Sequence, residues 1–195
     1  MAASIQPGPS DADVERATRR WLERAVLGLD LCPFARGPYE GGRVRIAVSA
    51  ATDADELAGD LERELKTLAD REPSRLETTL LVHPGALVDF LEYNDFLDVA
   101  DALLDVLDLA GTLQVASFHP DYRFADVAAD DPANCTNRSP FPTLHLLRES
   151  SVERAVEACD DPEAIYQRNI ETLRRIGEAG WRALIADGVE DKDEE

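Results

Sequence analysis

The sequence predicts an α/β fold: a single domain with a mixed, mostly parallel sheet of about four strands, covered by helices. An N-terminal helix opens it and a long C-terminal helix closes it. Three observations carry this expectation. Short β-rich runs alternate with apolar stripes at helical spacing. The helical stretches between runs are long enough to return the chain, so consecutive strands should run parallel with right-handed crossovers. The chain has 195 residues and 44% hydrophobic content, which suits one domain with a substantial core.

The elements follow in order. A first helix is expected over about 12–27, with Ser10 as N-cap and acidic residues in its first turn. Val14, Trp21, Ala25 and Val26 fall near one face, and Gly28 ends it. A turn-rich link, Cys32-Pro33-Phe34 through Gly37-Pro38 to Gly41-Gly42, leads to strand one. There Val44, Ile46 and Val48 alternate with polar residues within 43–49. Asp53, with Glu56 three residues on, predicts a capped helix carrying Leu57, Leu61, Leu65 and Leu68. Pro73 prevents its continuation. Residues 78–83 read as a strand buried on both faces. Asn94 is read as the cap of a helix with Phe96, Ala100, Leu103, Leu104 and Leu107 on one stripe. Gly111 closes that helix, and 113–119 reads as strand three.

A long irregular stretch, 120–142, follows. Residues 144–148 read as a fourth strand, returning antiparallel to strand three, and Pro142 at its start suits an edge position. Ser150 or Ser151 should cap a short helix. Asp161-Pro162 opens the last long helix, whose apolar face is Ile165, Leu173, Ile176, Trp181 and Leu184. Residues 1–10 and the acidic tail 188–195 are expected to be disordered, leaving a domain over 11–187.

Charge narrows the function. Forty acidic residues against 20 basic ones give a formal net charge of −20. Such a field repels phosphate backbones and argues against nucleic-acid binding. The three cysteines, Cys32, Cys135 and Cys159, form no paired motif, so reduced thiols are expected. No stretch approaches the roughly 20 apolar residues of a membrane span. The first ten residues lack a basic segment and an apolar run, so no secretion signal is read and the cytoplasm is the expected compartment. No phosphate-binding glycine loop, G-x-S-x-G elbow or H-E-x-x-H helix occurs.

The three histidines of the chain, His83, His119 and His145, are its most informative residues. His83 precedes Pro84 and His119 precedes Pro120, so each should sit extended at a strand exit. Ligands of open parallel sheets bind along that edge. If strand four returns antiparallel, His145 begins near the same rim. Three neutral imidazoles with an open position make a zinc-type shell that activates water. A divalent metal (zinc, iron or manganese) is the cofactor such a shell would take. The alternative is that each histidine caps a strand or bonds a carbonyl.

The long loop carries Asn134, Cys135, Thr136, Asn137, Arg138 and Ser139. Arg138 could clamp a carboxylate or phosphate, or these residues could simply satisfy loop backbone. Asn94, Asn137, Arg138 and Arg148 are the substrate-binding candidates, and Cys32, His119 and Arg138 the catalytic ones. Cys32 could be a nucleophile if an imidazole serves it as base, or a small buried hydrophobe in a turn. Cys159 looks structural.

The segments Leu31-Cys32-Pro33-Phe34, Glu77-Thr78-Thr79-Leu80-Leu81-Val82-His83-Pro84, Tyr93-Asn94-Asp95-Phe96-Leu97, Gln114-Val115-Ala116-Ser117-Phe118-His119-Pro120, Thr136-Asn137-Arg138-Ser139-Pro140 and Leu144-His145-Leu146-Leu147-Arg148-Glu149 together resemble a bacterial and plant family described as domain of unknown function 1415. They run from the first helix to the last. The resemblance implies no activity and assigns no catalytic residue.

Three functions are therefore carried forward. One is a metal- or histidine-dependent, hydrolase-like enzyme acting on a small polar or anionic molecule at the rim. The second is a thiol-dependent enzyme using Cys32. The third is a non-enzymatic module that binds a metabolite or a partner.

Overall fold

The computed structural model describes residues 8–158 and 161–186. The expectations for residues 1–7, Cys159 and the tail fall outside the described residues. Helices α1 (Asp11–Trp21), α2 (Arg36–Glu40), α3 (Ala54–Ala69), α4 (Phe90–Val106), α5 (Glu149–Glu157) and α6 (Pro162–Ile185) accompany strands β1 (Val44–Val48), β2 (Thr78–Val82), β3 (Leu113–Phe118) and β4 (Thr143–Arg148). The fold is α/β, built on one mixed sheet in the order β1-β2-β4-β3. β1 and β2 pair parallel. β4 pairs antiparallel with both β2 and β3.

Local chemistry accounts for most boundaries. The Ser10 hydroxyl accepts from the backbone N–H of Asp13, and the Asp13 carboxylate accepts from Ser10, a reciprocal box that opens α1. The helix then widens into a π-helical segment, Leu22–Leu27, a form that often marks functional places. Asp53 caps α3 through Glu56 N–H, and Asp161 caps α6 through Ala164 N–H. Gly177 (φ 64°) interrupts α6 with backbone that other residues rarely adopt.

Four expectations need correction. The cap of α4 is Asp89, whose side chain accepts from Leu91 and Glu92 N–H. Asn94 lies exposed in the second turn. A carboxylate at the first turn captures two orphan donors, so the helix starts there. No serine caps α5: its N-cap is Arg148, without a side-chain bond. The turn-rich link contains the short helix α2. Most consequentially, β4 is central, not an edge. Pro142 precedes the ladder, where it loses no donor, and its carbonyl accepts from His83 N–H at 3.0 Å. β3 therefore runs in the direction of β1 and β2 without pairing with either.

Strand alternation sorts the core into two layers. One face presents Ala47, Leu81, Leu113, Leu144 and Leu146 to Leu57, Leu61, Leu65 and Leu68 of α3 and to Tyr93, Phe96, Ala100 and Leu104 of α4. The other presents Leu80 and Val82, with Val44, Ile46, Val48 and Phe118, to Val14, Trp21, Leu22, Ala25, Leu173 and Trp181. This second layer covers the sheet incompletely. On β4 the residues facing α3 and α4 are buried, whereas His145 and Leu147, on the opposite face, are only partly so.

Candidate functional site

Over that incompletely covered region lies a cavity of about 670 Å³. Its floor is the sheet: Thr78, Leu80, Gln114, Ala116, His145 and Leu147. One wall comes from Trp21, Leu22 and the π-helical segment, continued by Cys32, Phe34 and Tyr39. The other comes from Ser151, Val152, Ala155 and Val156 of α5. The volume is ordinary for a small-molecule site, roughly 300–1,000 Å³. The exposed lining is mainly apolar, and a few polar groups interrupt it.

His145 is the most defined of these. The Thr78 hydroxyl has one proton and donates it to the Leu146 carbonyl at 2.6 Å. It must therefore accept in its 2.8 Å contact with His145 Nε2. That sets the Nε2–H tautomer and leaves Nδ1 as an acceptor. Among the described residues no group bonds Nδ1, and it is not among the sealed polar atoms. Burial pulls the imidazole pKa down to about 4, so the ring is neutral near pH 7. Trp21, also in the wall, has a buried indole N–H without an acceptor.

The three histidines do not converge. Successive side chains alternate between faces. His145 shares its face with Leu80 and Ala116, its partners in register. It also lies two residues inside β4, not at the rim. His83 and His119 follow Val82 and Phe118, so they turn to the opposite face and flank Tyr93 of α4. The His83 ring stacks on Tyr93 at 5.7 Å between centroids and 15° between planes, and the His119 ring sits 5.1 Å from Tyr93. The sheet thus separates His145 from the other two. Among the described residues no group of three or more His, Cys, Asp or Glu is arranged to hold a metal ion. The expected three-histidine shell is not formed.

His83 and His119 are occupied otherwise. His83 Nδ1–H donates to Ala86 O at 2.9 Å, and its buried Nε2 has no partner. Burial lowers its pKa to about 4. His119 Nδ1 accepts from Asp121 N–H at 3.0 Å, so its Nε2–H points at Leu87 O, 3.3 Å away. Burial lowers its pKa as well. Between them, Tyr93 donates to Thr143 O and accepts from Phe118 N–H. The strand exits are pinned by this stack, as the strand-capping alternative describes for both histidines.

Two arginines expected at substrate also serve the fold. Arg138 donates to Tyr122 O and Ala129 O, and so ties the long loop to itself. One Arg148 nitrogen meets Leu68 O at 2.7 Å, Arg71 O at 2.6 Å and Leu76 O at 3.0 Å. This places positive charge on the carbonyl end of α3. Arg148 still borders the cavity, whereas Arg138 and Asn94 do not. Asn137 does, with its amide nitrogen on Ser117 O at 3.0 Å.

Cys32 lines the cavity too. Its strand of link is held by α6, where Asn169 donates to Leu31 O at 2.7 Å. Burial raises its thiol pKa, against smaller opposing bonds from the Phe34 and Ala35 backbone. A thiol in that environment stays protonated near pH 7. Cys135 is fully buried, with its thiol pKa likewise raised by burial.

The sequence reading missed Trp21, Thr78 and Gln114 as site residues. A signal existed for two of them. Thr78, Gln114 and His145 are polar residues of β2, β3 and β4, and the pairing register puts them on one shared face.

Among the described residues no helix is long and apolar enough to cross a membrane. No curated protein and no solved structure matches the chain. The motif resemblance is borne out at the level of family: the description "protein of unknown function (DUF1415)" matches residues 13–183, nearly the whole chain, and the chain belongs to that family.

Proposed function

We propose that this protein binds a small, mainly apolar molecule in the cavity between the β3–β4 half of the sheet and α5. The observation that supports it is a roomy apolar cavity with His145 on its floor, where a central strand would ordinarily be sealed. His145 Nδ1 offers an acceptor, the kind of isolated polar contact that orients a ligand in an apolar site. This replaces a metal-activated rim acting on a polar molecule. The test is titration with N-phenyl-1-naphthylamine, a neutral fluorescent apolar probe. Binding in the micromolar range is expected, with loss in Ala116→Trp, which fills the floor. Absence of binding to the parent chain rejects the reading.

A second reading, thiol catalysis by Cys32 with His145 as base, has one observation in its favour: both line the same cavity. The raised thiol pKa weighs against it.

A further inference from the structure

We propose that the cavity selects an amphipathic anion: an apolar body along the sheet, an anionic end at Arg43 and Arg154, and a hydrogen-bond donor facing His145. This rests on the reading that the cavity binds a small molecule. Charge is the separate observation. Across the chain acidic residues outnumber basic ones 40 to 20. Along the cavity the balance reverses: Arg43, Arg148 and Arg154 stand against Glu77 alone.

These groups gather at one end. Arg43 and Glu77 immediately precede β1 and β2, and Arg154 comes from α5. Glu77 is shared, 2.9 Å from Arg43 and 3.9 Å from Arg154. One carboxylate cannot neutralise two guanidinium groups, and Arg148 beside them is bound only to neutral carbonyls. This mouth is therefore positive in a molecule of charge −20. An anion is repelled by the overall field and attracted here, which gives orientation as well as selection. The Arg154 side chain is 67% exposed, so it can turn to a ligand without disturbing the core.

The apolar half of the argument comes from α5. No residue of this helix is buried. Yet Val152, Ala155 and Val156 line the cavity, and Val156 is 47% exposed. A ligand body between this face and Leu80, Ala116 and Leu147 would cover both. At the floor, His145 Nδ1 can only accept, so the matching ligand atom carries a proton, as in a hydroxyl or an amine.

Two probes with the same rings separate this inference from the cavity reading: neutral N-phenyl-1-naphthylamine and 8-anilinonaphthalene-1-sulfonate. At low salt the sulfonate should bind about tenfold more tightly, the worth of one charge-assisted hydrogen bond. That preference should fall to about twofold or less in Arg43→Gln/Arg154→Gln, with neutral-probe affinity unchanged as evidence of an intact cavity. Should the double variant not fold, Arg154→Gln alone, at an exposed side chain, should reduce the preference about threefold. Ala116→Trp should abolish both probes. Equal affinity for the two probes, or a preference that survives the arginine substitutions, overturns the anion inference while leaving the cavity reading standing. If neither probe binds, both are overturned.

Discussion

Mild acid should destabilise this protein through His83, by an amount that can be worked out from its surroundings. The ring is fully buried, its Nδ1–H is engaged with Ala86 O, and Nε2 faces no partner. A proton arriving at Nε2 would be charged, dry and unbonded, which holds the folded pKa near 4. Unfolded, the ring titrates at about 6.5. A depressed histidine pKa means that the unfolded chain binds the proton first. Stability is thus fully retained above about pH 6.5 and lost as pH falls toward 4. At about pH 5 the loss is roughly 1.5 pH units at about 1.4 kcal/mol each, or about 2 kcal/mol. His145, whose imidazole burial also holds near 4, adds a loss of the same sign that is common to the parent chain and the variant. The assay is urea unfolding near pH 7 and near pH 5, for the parent chain and for His83→Asn, whose amide can keep the bond to Ala86 O. Relief of the general acidic repulsion is common to both proteins and cancels. The parent should lose about 2 kcal/mol more than the variant. Equal losses, or an NMR titration placing His83 near pKa 6.5, would refute the reasoning.

Two further outcomes follow from the same geometry. Arg148→Met should cost about 2–4 kcal/mol in urea unfolding, because three backbone carbonyls, Leu68 O, Arg71 O and Leu76 O, lose their donor; neutral-probe binding by the folded variant should persist. Cys32 should react with iodoacetamide more slowly than a free cysteine near pH 7, since burial keeps its thiol protonated; selective rapid alkylation would instead restore the thiol-enzyme reading.

Much of the fold was legible because its signals are local. Leu57, Leu61, Leu65 and Leu68 mark a helix face wherever that helix packs, and Ser10, Asp53 and Asp161 announce helix starts through bonds to residues three positions away. The antiparallel return of the fourth strand was legible too, from the loop that precedes it. Its place between β2 and β3 was not, because strand order depends on which edges find each other across more than sixty residues, as in the Thr79–Leu146 pairing. That one decision determined the fate of the histidines. Residue order put His83 and His119 at strand exits, and there they are. Only pairing register could show that His145 lies two residues inside a central strand and faces away from them. By itself the sequence determined the elements, the acidity and the reactive residue types. The tertiary structure decided which of these share a face, because a side chain's face depends on register while its chemistry does not. It thereby exchanged a metal-bearing rim for a cavity floored by His145 and rimmed by Arg43 and Arg154.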